Sequence, residues 1–173
     1  MRRSVQQYAR IGLMAALLCA LSPMSVPIGP VPFTLQTFLA ALAGAVLGAG
    51  QGAAAVAVYL LLGVVGLPVF SGWQAGIAAL VGPTGGFLWG FLPLAALCGA
   101  GRRHVALQVA LGLAGLLVMY CLGAAQFARV AGVSPMRAIQ AAVLPFAFKD
   151  VVSVAAGVLM ARAVGNRLKF AVQ

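Results

Sequence analysis

The chain has 173 residues, of which 64% are hydrophobic and only 7% charged, whereas soluble domains carry roughly a quarter charged residues. Residues 11–101 contain no Asp, Glu, Lys or Arg, so they cannot build a water-facing surface, and a soluble enzyme is excluded. The net charge of +10 comes from 11 basic residues against one acid, Asp150; the bases fall in short clusters between apolar runs, the pattern of a membrane protein and not of a nucleic-acid binder.

A spanning helix needs about 20 mostly apolar residues. Cutting the chain at its Pro, Gly and charge punctuation predicts one all-α membrane domain over 1–173, with six spans at about 8–21, 33–48, 52–66, 86–101, 105–127 and 146–164. The first span imitates a signal peptide, with Arg2 and Arg3 before an apolar core and Ala20-Leu21-Ser22 after it. Cleavage there would leave five spans and spoil the charge pattern, so the span is expected to stay. It repeats small residues at Gly12, Ala16 and Ala20, as the second does at Ala40, Gly44 and Gly48. Such stripes let helices approach closely, within one chain or against a partner.

Four prolines, Pro23, Pro27, Pro30 and Pro32, keep the segment 22–32 from being a regular helix. The segment 66–86, GLPVFSGWQAGIAALVGPTGG, is long and uncharged. Non-helical backbone at a membrane is tolerated where it is buried or lines a cavity, so a folded external cap between the third and fourth spans is expected. Ser134-Pro135 reads as a helix start, opening a short helix to Leu144 that Pro145 breaks.

Charge fixes the orientation. With six spans, Arg2, Arg3, Arg10, Arg102, Arg103, Arg162, Arg167 and Lys169 share one side with both termini, and Arg129 and Arg137 fall on the other. The positive-inside rule then puts both termini in the cytoplasm of a multi-pass inner-membrane protein.

The chemistry available is narrow. His104 is the single histidine, next to Arg102 and Arg103, far from any loop that could enclose a pocket. One acid cannot make a carboxylate pair, and Cys19, Cys98 and Cys121 lie in apolar runs without metal-ligand spacing. No phosphate-binding Gly-x-x-x-x-Gly-Lys loop is present, so the chain cannot drive itself with ATP. Neither catalysis, nor a metal, nor a cofactor is expected.

Asp150 stands out, because a carboxylate in a membrane-embedded helix costs roughly 2.5–3.5 kcal/mol at the bilayer centre and is commonly functional. It lies 12 positions before Arg162, roughly 18 Å up a helix that rises about 1.5 Å per residue. That places it at the external end, level with the two Gly/Pro segments. Its alternative is a structural carboxylate held by the helix N-terminus and by Lys149 or Arg137. Lys149 points about 100° away from Asp150, toward a ligand or out to the interface. Other polar groups are few: Thr34 and Gln36 opening the second span, Tyr59 in the third, Trp73, Gln74 and Thr84 in the cap. Phe33, Phe70, Trp73 and Trp89 could wall a pocket for a small polar ligand, or the tryptophans could belong to an interfacial belt and Thr34 to a helix cap.

GLPVFSGWQAG (66–76) followed by GPTGGFLWGF (82–91), with FTLQT (33–37) upstream and LPF (144–146) then Asp150 downstream, resembles the BioY family, the biotin-specific substrate-binding (S) components of energy-coupling factor transporters. The similarity runs over roughly residues 8–165. It implies a six-helix membrane protein that takes up biotin from outside, together with a transmembrane coupling protein and two ATP-hydrolysing subunits, toppling in the membrane to carry the vitamin inward. Docking then maps to Gly12, Ala16 and Ala20, and the turn Gly82-Pro83-Thr84 with the loop before it covers the site. Asp150 is expected to take the ureido N–H groups. The family pattern places a lysine three residues after this Asp, where this chain has Ser153; Lys149, Ser153 or loop amides are the candidates for the biotin carboxylate. The alternatives are a solitary solute transporter or channel without ATPases, and a non-transporting scaffold. Self-association is left open.

Overall fold

The apolar runs fold as helices, and the glycines and prolines between them set the ends. The computed structural model describes residues 2–26, 31–101 and 104–170, with side chains at 4–26, 31–101 and 104–165. Pro27, Pro30, Arg102 and Arg103, and the side chains of Arg2, Arg3, Arg167 and Lys169, lie outside the described residues. In chain order the elements are α1 (Arg2–Leu21), β1 (Ser25–Val26), β2 (Phe33–Thr34), α2 (Gln36–Leu47), α3 (Ala49–Val65), a 3₁₀ turn (Ser71–Trp73), α4 (Ile77–Val81), α5 (Gly85–Ala100), α6 (Val105–Ala131), α7 (Pro135–Ala142) and α8 (Leu144–Phe170).

Several boundaries differ from the expectation, among them the start of α1, at Arg2 and not 8, and the end of α8, at Phe170 and not 164. Phe33 and Thr34 do not open the second helix; they pair antiparallel with β1, Thr34 opposite Ser25 and Phe33 opposite Val26, and α2 starts at Gln36. Pro145 does not break the short helix. It sits in the first turn of α8, where a missing N–H has no intrahelical partner to lose, and α7 has already ended at Ala142. The fifth expected span, α6, runs past 127 to Ala131 and stops at Gly132, whose φ of 66° is left-handed.

The helices α2 and α3 meet without a loop. Gly48 turns the corner at φ 92°, ψ 169°, a conformation that side chains disfavour. On either side the backbones touch. A Cβ at Gly44 would strike the Ala95 carbonyl of α5, and one at Gly99 would strike Gly48 and Ala49. The stripe Ala40-Gly44-Gly48 is therefore packing inside the bundle. The stripe Gly12-Ala16-Ala20 is the reverse, exposed on the outer face of α1.

Among the described residues two helices, α6 and α8, are long and apolar enough to cross a membrane alone. At 12 residues α2 is only about 18 Å long, and it packs against α1, α3, α5 and α8. The outward faces carry Leu13, Leu61, Leu117, Leu122 and Leu159. An exterior this apolar suits lipid.

Candidate ligand-binding site

The long segment between α3 and α5 is a folded cap. Gly66, at φ 114°, ends α3 in the left-handed conformation, and the chain turns back so that Phe70 enters the bundle. Its ring fills the space left by the missing side chain of Gly63 and meets Tyr59 edge-on, centroids 5.6 Å apart. The Phe70 N–H donates to the Gln74 carbonyl (3.0 Å), the Gly76 N–H to the Gly63 carbonyl (2.7 Å) and the Gly72 N–H to the Pro23 carbonyl (3.1 Å). From the other side Gln126 of α6 donates through Nε2 to the carbonyls of Leu80 (2.8 Å) and Gly82 (2.7 Å). Each of these ties closes a buried or half-buried backbone group that a loose loop would leave to water.

Beneath the cap lies a narrow cavity of about 60 Å³, walled by Val31, Pro32, Phe70, Phe87, Leu88, Phe91, Met119 and Phe146, with Thr34, Gln36, Thr37, Ser71, Gln74, Thr84, Tyr120, Lys149 and Asp150 as its polar members. It shares Pro32, Ser71, Gln74 and Thr84 with a wider outer space of about 570 Å³ lined by Ala75, Ala78, Ala79, Gly82 and Pro83. The four shared residues form the neck between the two.

At the inner end Asp150 is 4% exposed. Its Oδ1 pairs with Lys149 Nζ at 2.5 Å, and its Oδ2 accepts from the Tyr120 hydroxyl at 2.8 Å. Lys149 Nζ also donates to the Thr34 carbonyl (3.0 Å) and stands 4.9 Å from the centre of the Phe33 ring, a favourable place for a cation. An ionised carboxylate offers about four lone-pair sites. Two are taken here, and two lone-pair sites remain. Gln36 is fixed by donating through Nε2 to the Tyr59 hydroxyl (2.7 Å), and Thr34 Oγ1 accepts from the Gln36 N–H (3.4 Å) at the start of α2. Thr34 thus serves the helix end and the cavity wall together.

The structure brings Asp150, Lys149, Thr34, Gln36, Phe70, Gln74 and Thr84 to this one cavity. It does not bring the others there. Tyr59 lies behind Gln36, fully buried; Gly82 and Pro83 line only the outer space. Trp73 and Trp89 are 66% and 46% exposed and wall nothing in the cavity, because Trp73 rides the outer surface of the cap at a positive φ of 63° and Trp89 sits on the outward side of α5. Ser153, one turn beyond Asp150 on α8, also stays outside the cavity. Lys149 reaches the cavity although it precedes Asp150 by one position, since its long stem spans the angle between them.

Sequence reasoning missed Tyr120, Gln126 and Ser71. The first two are polar residues in a long apolar run, the same signal that marked Tyr59, and only the packing of α6 against α5 aims them at Asp150 and the cap. Among the described residues no group of three or more His, Cys, Asp or Glu could hold a metal ion.

The family model described as BioY matches residues 1–170. The biotin transporter BioY of Thermotoga maritima is 40% identical over 161 residues, covering 91% of this chain and 94% of that protein. The biotin transporter BioY of Rhodobacter capsulatus is 42% identical over 173 residues, covering 90% and 91%. A crystal structure of the S-component for biotin from an ECF-type ABC transporter shares the fold, with a TM-score of 0.87 at 24% identity over 95% of this chain and 93% of that one. With a match over nearly its full length, this chain belongs to the BioY family.

Proposed function

We propose that the chain is a biotin-binding S component that delivers the vitamin across the cell membrane with an ATP-driven coupling module. The observation that carries this reading is the buried Asp150 carboxylate, held by Lys149 and Tyr120 at the inner end of the cavity with two acceptor positions left over. A cyclic urea presents two N–H donors side by side and fits that vacancy. The aliphatic tail of biotin suits the walls of Phe70, Phe87, Leu88 and Phe91.

The membrane arrangement proposed with it is six spans, α1, α2, α3, α5, α6 and α8, with both termini in the cytoplasm and the cap outside. It is supported by the arginine distribution and by the exposed apolar faces. The exposed stripe Gly12-Ala16-Ala20 on α1 supports docking on a transmembrane coupling protein with its two ATPases.

Detergent-purified protein is expected to bind biotin, and desthiobiotin as well, since both carry the urea. Asp150→Asn is expected to weaken binding about tenfold or more, the loss of charge-assisted hydrogen bonds worth roughly 1.5–3 kcal/mol. Wild-type protein that fails to take up biotin in a titration, or an Asp150→Asn variant that binds as wild type, would sink the reading. Uptake by cells lacking every coupling subunit would instead favour a solitary transporter.

A further inference from the structure

The neck between the inner cavity and the outer space has its own chemistry. Ser71, Gln74 and Thr84 line both spaces, all three offer neutral donors, and the only acid in the chain is deeper, at Asp150. Ser71 Oγ is buried away from solvent and has no hydrogen-bond partner among the described residues, an arrangement that is costly unless something arrives to satisfy it. Lys149 is already engaged by Asp150, the Thr34 carbonyl and the Phe33 ring. An anionic group next to Asp150 would meet a like charge, whereas at the neck it would meet neutral groups that can donate to it.

We propose that Ser71 is a specificity residue that hydrogen-bonds the terminal carboxylate of the ligand at the neck, so that the site is read from two ends. This rests on the biotin reading above. The ring end meets Asp150, and the acid end is held by the 3₁₀ turn of the cap, which the Gly72–Pro23 bond fixes to the segment after α1. Ser71 is thereby a second determinant that separates the free acid from neutral relatives of the same shape.

Calorimetric titrations of the full chain in detergent test it, using biotin and an analogue whose tail ends in a methyl group in place of the carboxylate. Ser71→Ala is expected to weaken biotin about tenfold and to leave the methyl-ended analogue unchanged. Ser71→Cys, of similar size with a weaker donor, should fall between. A Ser71→Ala variant that binds biotin as wild type, or that loses both ligands equally, would overturn the assignment while leaving the biotin reading standing. Wild-type protein that binds neither ligand would remove both.

Discussion

Lys149 and Asp150 are adjacent in the chain, yet their side chains close on each other at 2.5 Å over the same cavity. Neighbouring helix positions leave the axis about 100° apart, and the lysine stem makes up the difference. Its ammonium then has three things to hold: the carboxylate, the Thr34 carbonyl at the end of β2, and the face of Phe33. One cation thus fastens the start of α8 to the β1–β2 hairpin and offsets the sole acidic side chain of the sequence.

Lys149→Met should be costly, because it leaves a carboxylate that is 5% exposed without its counter-charge. Removing one partner of a buried pair costs about 3 kcal/mol or more, so the melting temperature should fall clearly and biotin affinity at least tenfold. The double variant Lys149→Met, Asp150→Leu should regain most of the stability and none of the binding. Thermal melts with and without biotin separate the two effects. A double variant as unstable as the single one would contradict the pairing.

Tyr120→Phe removes one donor to Asp150 Oδ2 and keeps the ring that packs against Phe87, centroids 6.5 Å apart. Stability should fall by roughly 1.5–3 kcal/mol, the worth of a hydrogen bond to a buried charged group. Affinity for biotin should drop roughly five- to tenfold, since the carboxylate loses the group that fixes its plane. Titration calorimetry against wild type measures it.

Gln126→Leu should loosen the cap without touching the cavity floor. It frees the Leu80 and Gly82 carbonyls, each bond worth about 1 kcal/mol. Amide exchange should speed up across α4 and the turn 82–85 while the cores of α5 and α8 stay protected. Biotin should leave faster, in keeping with interface changes that act mostly on the off-rate.

Ala16→Trp fills the exposed stripe on α1 at a position that is not part of the cavity lining. Biotin binding by purified protein should be unchanged, while uptake with the coupling module should be lost. Retained uptake would place the docking surface elsewhere.

Much of this was legible in the residues themselves. Apolar runs broken by glycine and proline marked the helix interiors, although α1 starts at Arg2 and not 8 and α8 runs to Phe170 and not 164, and the lone acid in a greasy chain pointed to the inner end of the cavity. The misses have physical causes. Phe33 and Thr34 read as helix because they adjoin an apolar run, and only their pairing with Ser25 and Val26, across the proline-rich segment, draws them into a strand. Trp73 and Trp89 looked like pocket walls by residue type, but which way a ring faces depends on the cap's left-handed turn and on the rotation of α5. Tyr120 was passed over because its value comes from Asp150, 30 positions away. Small-residue spacing was the same in α1 and α2, and burial alone told an internal contact from an outward one.

The tight corner at Gly48 has a consequence for traffic. Below the cavity floor the main chains of α2, α3 and α5 lean directly on one another at Gly44, Ala95, Gly99 and Ala49, with no bulky side chain in between that could swing aside as a valve. Opening a path there would mean prising backbones apart against their closest packing.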